Sequence, residues 1–196
     1  MMHPYSTNTN ERKIIPFYLA CIAIVLTWGM SAILAKLQIS FPWWASAPSV
    51  MGIYGLLYSV FDKFIWRKPF LKKLGIIKTP DISGKWRGKL QSSFNSQDFV
   101  NTDVKISQTW TEIEILLKTD NSCSNSTVAS IMVGVSNNAS LHYQYQNNPK
   151  SSSVDSMQIH YGTTYLSCSG DKLEGEYYSG RGRQNIGSIE LHKVIE

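Results

Sequence analysis

The chain has 196 residues, is 43% hydrophobic and only 17% charged, and carries a formal net charge of +5. That charge is unevenly placed: residues 62–78 hold six Lys or Arg against one acidic residue, whereas residues from 79 onward hold ten basic and twelve acidic ones. The C-terminal part therefore lacks the basic excess that a long nucleic acid demands, and three cysteines with neither a CxxC nor a zinc-type Cys/His spacing exclude a disulfide or zinc framework.

Residues 1–13 read as an N-terminal tail. From residue 14 to residue 35 there is no charged side chain, and after Lys36 none appears until Asp62. A helix over 14–35 would reach roughly 33 Å, enough to cross the hydrocarbon core of a bilayer. A second apolar run over 43–61, with Trp43, Trp44, Met51, Ile53, Leu56, Leu57, Val60 and Phe61, has similar reach. A signal peptide would be shorter and lack the second span close behind, so the pattern predicts a two-helix transmembrane hairpin over 14–61 with its turn at 38–42. Lys and Arg gather before the first span and in the linker 62–80, while the segment between the two spans carries only Lys36. By the positive-inside rule both termini face the cytoplasm, and the protein is expected to be a multi-pass component of the cell inner membrane. The basic linker would lie against anionic membrane lipids. Trp43, Trp44 and Trp66 suit the interfaces.

Residues 81–196 change character. Short alternating segments separated by Gly, Asn, Asp and Ser are expected as antiparallel strands at 84–94, 102–110, 112–118, 127–135, 140–146, 157–168, 172–178 and 185–194. Eight strands with short links and no amphipathic helix predict a membrane-anchored all-β protein, its cytoplasmic domain an eight-stranded antiparallel up-and-down, lipocalin-like barrel. A β-sandwich is the competing arrangement. In the opening segment Gly84-Lys85-Trp86-Arg87-Gly88, Trp86 is expected to plug one end of the barrel.

No nucleophile elbow, Walker loop or metal motif occurs, so the chain is expected to be no enzyme and to need no cofactor or metal. His142 and His160 alternate with apolar neighbours and are expected to point outward. Two features resemble binding equipment. Tyr143, Tyr145, Tyr161, Tyr165 and Tyr177 offer faces on which nucleobases stack, although they could equally fill a small barrel. Arg181 and Arg183, separated by a glycine between the last two strands, can place two guanidinium groups on a phosphate, or simply decorate a solvated turn. The small residues Gly29, Ser31 and Ala32 in the first span, and Ser49, Gly52, Gly55 and Ser59 in the second, permit close helix packing.

A transmembrane hairpin, a short basic linker, the block Asp81-Ile82-Ser83-Gly84-Lys85-Trp86-Arg87-Gly88 and one small barrel together resemble a known family. The layout is similar to the CD-NTase-associated transmembrane β-barrel effectors of bacterial CBASS anti-phage defence, over nearly the whole chain. That resemblance implies a cyclic dinucleotide made by a partner CD-NTase as ligand, a ligand-induced homo-oligomer, disruption of the inner membrane, and abortive-infection cell death. The binding residues implied by the side-chain chemistry are Arg181, Arg183, Tyr143, Tyr145, Tyr161 and Tyr177. The alternative is a membrane-anchored, lipocalin-like binding protein for an apolar small ligand.

Overall fold

The computed structural model describes residues 1–38, 43–93, 95–134, 138–153, 157–180 and 184–194. The chain divides into a helical unit, residues 9–78, and a β unit made of residues 1–8 together with 79–196.

In the helical unit, α1 (Glu11–Lys36) and α2 (Trp43–Lys63) pack against each other. α1 is covered along one stripe, Ile15, Leu19, Ala23 and Thr27, at the four-residue spacing that lines up side chains on one helix face. Around the rest of its circumference Phe17, Ile22, Val25, Leu26, Trp28 and Ile33 are exposed. Such a surface is at home in hydrocarbon. Even Thr27 is satisfied within the helix, its hydroxyl donating to the Ala23 carbonyl at 2.7 Å. Among the described residues α1 is the one helix both long and apolar enough to cross a membrane. α2 has 21 residues, a rise of about 31 Å. The basic stretch after it is partly ordered as a short turn at Ile65–Arg67 and the helix α3 (Pro69–Lys73). Trp66 is buried there with the Arg67 guanidinium 5.5 Å from its ring. Further along this stretch the Lys78 backbone N–H donates to the Glu11 carboxylate.

The β unit is a closed barrel of nine strands. β2 (Gly84–Ser92), β3 (Asn95–Gln108), β4 (Glu112–Lys118), β5 (Ser122–Val133), β6 (Ala139–Pro149), β7 (His160–Ser169), β8 (Lys172–Ser179) and β9 (Ile186–Lys193) pair antiparallel in chain order. β9 returns to β2, with Leu191 opposite Gly88. All eight expected strands are present, and their sequential pairing displaces the sandwich alternative.

The ninth strand corrects the expected count of eight and the reading of residues 1–13 as a tail. β1 (His3–Thr7) lies between β4 and β5, antiparallel to the first and parallel to the second. At one end β4 and β5 pair directly, Leu117 opposite Ser124. Beyond a bulge at Ser126 and Val128 the circuit runs through β1 instead. Five residues with a single buried apolar side chain, Tyr5 at 3% exposure, show no alternation to read. The strand is held by the core that receives Tyr5, not by its own pattern.

Each end of the barrel has its own character. Trp86, near the start of β2, marks one end; it is 1% exposed and donates its indole N–H to the Ile82 carbonyl at 3.0 Å. Gln108 completes this plug: its Oε1 accepts the Ile82 N–H at 2.9 Å, and its Nε2 donates to the Pro80 carbonyl at 3.1 Å. Arg87 points outward and pairs with Asp103 on the exposed face at 2.8 Å. Below the plug Ile106, Ile113, Ile115, Ile131, Leu141, Leu166, Leu173, Ile189 and Leu191 fill the interior. The other end is not filled.

Candidate functional site

At the end opposite Trp86, where the β2–β3, β4–β5, β6–β7 and β8–β9 connections lie, the barrel holds a cavity of about 410 Å³. That volume suits one small ligand. Leu90, Val100, Leu117, Met157 and Ile189 supply its apolar lining, while hydroxyl, amide, phenol, imidazole and carboxylate groups line the rest.

The tyrosines enter from two strands. Tyr143 and Tyr145 alternate inward on β6, and Tyr177 on β8; all three line the cavity. Two glycines give their rings room. Gly162 lies directly across from Tyr145, and a Cβ there would overlap the Tyr145 ring; Gly187 stands in the same relation to Tyr177. With no side chain between, each phenol packs closely over its neighbouring strand. Tyr143 and Tyr145 are 6.3 Å apart between centroids, and Tyr145 meets His160 edge-on at 6.5 Å.

Tyr143 is the deepest of the three. Burial pushes its phenol up to about 12, and a hydrogen bond with the cross-strand Thr164 moderates the rise. The folded protein thus keeps this proton above the ordinary phenol value of about 10. Its contribution to stability is complete below pH 10 and is lost as pH rises through about 12. Chemical denaturation between pH 8 and pH 12 should show stability falling across that upper window, and Tyr143→Phe should flatten the fall.

Tyr161 does not join this group: it is 63% exposed on the outer face of β7. Tyr165 is likewise outside, its ring 4.4 Å from that of His142. The inward set on β7 is His160, Gly162, Thr164, Leu166 and Cys168, one residue out of phase with the tyrosines. His142 faces outward as expected, but His160 lines the cavity, contrary to expectation. The alternation of Leu166 and Cys168, carried back along the strand, is the signal that places both His160 and Tyr161.

Arg181 and Arg183 lie outside the described residues. The residues bracketing them do not: Ser179 and Asn185 both line the cavity, and the Ser179 N–H donates to the Asn185 carbonyl at 2.8 Å. Among the described lining residues none is Lys or Arg, and the ionisable ones other than tyrosine are Asp98 and His160.

Polar positions on β5 and β6 complete the wall. Ser122, Ser124 and Asn147 are buried, lining residues that sequence reasoning passed over. The Asn147 amide donates to the Ser122 hydroxyl at 2.9 Å and to the Ser124 hydroxyl at 2.8 Å. A run of serines has no apolar alternation, so the first half of β5 was not expected to be a strand. The inward parity of Ala129 and Ile131 stops at the bulge, which resets it.

Comparison with known proteins identifies the domain that holds this cavity. The family model described as "Cap15, cyclic dinucleotide receptor domain" matches residues 77–193, and one described as "Cap15, TM helices" matches residues 13–67. The chain belongs to the Cap15 family. The cavity therefore lies in a cyclic dinucleotide receptor domain, and the helical unit matches the family's transmembrane segment. A CD-NTase-associated protein 15 from Yersinia aleksiciae is 31% identical over 148 residues, spanning 74% of this chain and 70% of that one. Another, from Staphylococcus schleiferi, is 29% identical over 134 residues, spanning 68% and 71%. The resemblance to CD-NTase-associated proteins of CBASS, read from the Asp81–Gly88 block and the layout, is borne out.

Proposed function

We propose that this Cap15-family protein is a membrane-embedded CBASS effector. Its barrel senses a cyclic dinucleotide made by a CD-NTase, the ligand-bound protein self-associates, and its helices then disrupt the inner membrane. The observation that carries the sensing step is the cavity. Tyr145 and Tyr177 line it, packed over glycines, and phenol faces of this kind stack nucleobases of any identity. Buried hydroxyls and amides stand beside them. A carrier of apolar ligands would have no use for Ser122, Ser124, Asn147 and Thr164 in its lining, since a buried polar group facing hydrocarbon costs free energy.

Two phosphates need positive charge, and the described lining supplies no Lys or Arg. Arg181 and Arg183 fill that role, on a connection whose two flanks line the cavity. Tyr161, exposed on the outer face, has no part in it.

The strand topology supports a two-span arrangement with both ends in the cytoplasm. β1 precedes α1, and β2 to β9 come after α2, yet all belong to one barrel. A helical segment that leaves a barrel and returns to it crosses the membrane an even number of times. Crossing by α1 alone would strand β1 on the wrong side. The basic residues on both flanks put the barrel inside, where a cytoplasmic nucleotidyltransferase releases its product.

Isothermal titration of the full-length protein in detergent tests the sensing step. Binding of a cyclic dinucleotide, with no heat from a fatty acid, is the expected result. Heat from the fatty acid alone would replace the receptor by a carrier.

A further inference from the structure

The Asn147 side chain is 6% exposed, and its Oδ1 is buried with no hydrogen-bond partner among the described residues. Both hydrogens of its amide nitrogen are used, on Ser122 and Ser124 at 2.9 and 2.8 Å. Ser122 is itself held by the Thr119 hydroxyl at 3.2 Å. The amide is thus held by two hydroxyls, and its carbonyl oxygen, on a residue that lines the cavity, has no donor among the described residues. An unmade hydrogen bond at a buried acceptor is costly, so an oxygen held this way is poised for a donor from the ligand.

We propose, building on the receptor function, that Asn147 reads the base: its Oδ1 accepts a hydrogen bond from the exocyclic amino group of one nucleobase. The phosphates of a cyclic dinucleotide carry only acceptors and cannot satisfy this oxygen, which leaves the donors of base and sugar. Position selects the base. Asn147 comes two residues after Tyr145 on β6 and shares its inward face, about 7 Å further along the strand. A base stacked on the Tyr145 ring turns its edge toward Asn147. With both amide hydrogens engaged, Asn147 offers no donor in return. The partner that suits it is a group needing only an acceptor, and an amino group on adenine or guanine is such a group. An oxo group at the same place would set two acceptors against each other.

Inosine provides the test, since hypoxanthine lacks the amino group of both purines. Binding of cyclic di-AMP, cyclic di-GMP and cyclic di-IMP is measured by titration calorimetry on the full-length protein in detergent. The better of the two amino-bearing ligands is expected to bind at least about tenfold more tightly than cyclic di-IMP, the scale of one buried hydrogen bond. Asn147→Leu should erase that preference. Asn147→Asp, which keeps an acceptor oxygen, should retain it even if all affinities fall together. A preference that survives in Asn147→Leu, or is lost in Asn147→Asp, overturns the assignment while leaving the receptor intact. Equal or tighter binding of cyclic di-IMP to the unaltered protein overturns it too, and tighter binding would mean that the amide presents its nitrogen. Failure of all three ligands to bind would instead overturn the receptor function, and this inference with it.

Discussion

Cells containing both this protein and a cyclic-dinucleotide synthase should take up a membrane-impermeant dye, whereas cells containing either one alone should stay intact. The chain passes between the β unit and the helical unit twice, from residue 8 into residue 9 and from residue 78 into residue 79. Any ligand-driven association of barrels therefore gathers the attached helices and raises their effective concentration in the bilayer. Gly52 and Gly55 on α2 suit helix contacts between copies. A Cβ at either would meet nothing within 4 Å, so these glycines are not consumed in packing within the chain and can admit a helix of a second copy. Replacing both with leucine should leave cyclic dinucleotide affinity unchanged and abolish most of the dye entry. Intact membranes in cells shown to contain both protein and ligand would reduce the protein to an anchored receptor without a lytic output. Full dye entry in the double leucine variant would move the helix contact away from this face of α2.

Arg181→Ala and Arg183→Ala should each weaken cyclic dinucleotide binding by about 1–3 kcal/mol, on the order of 10- to 100-fold in Kd. The described cavity wall carries no Lys or Arg, so the loss should not be masked by other cations there. Binding should also weaken as salt is raised in the unaltered protein, and less so in the double variant, because charge-assisted contacts at an open mouth are screened. Stability against denaturant should barely change, since polar residues of a strand connection contribute little to a barrel core. Unchanged affinity in the double variant would return the pair to the solvated turn that the sequence equally allows.

How far the residues themselves reveal the site differs from strand to strand. On β4 the alternation Ile113, Ile115, Leu117 announces both strand and inward face, and all three are buried as expected. On β6 the same rule carries Tyr143 and Tyr145 inward. On β7 the tyrosines stand out as a chemical type, but parity decides orientation, and Leu166 with Cys168 places Tyr161 outside. The serine-rich start of β5 has no hydrophobic period at all, because its inward face lines a polar cavity and not a core. Functional polarity there erased the signal by which strands are found.

The membrane segment and the all-β character of the remainder were determined by sequence alone. A charge-free run of spanning length has no good alternative in water, and alternation of period two has few other folded meanings. Charge placement also led to the expectation that a long polyanion is a poor partner. Three things only the tertiary structure decided. Residues 3–7 become a strand because a gap between β4 and β5 accepts Tyr5, a vacancy created by residues more than a hundred positions away. Tyr145 and Tyr177 find room for their rings because Gly162 and Gly187 oppose them in register. Asn147 gives both amide hydrogens to two serines of the neighbouring strand, and its Oδ1 has no donor among the described residues. Each depends on which residues meet across strands, and that register comes from barrel closure, not from any local pattern.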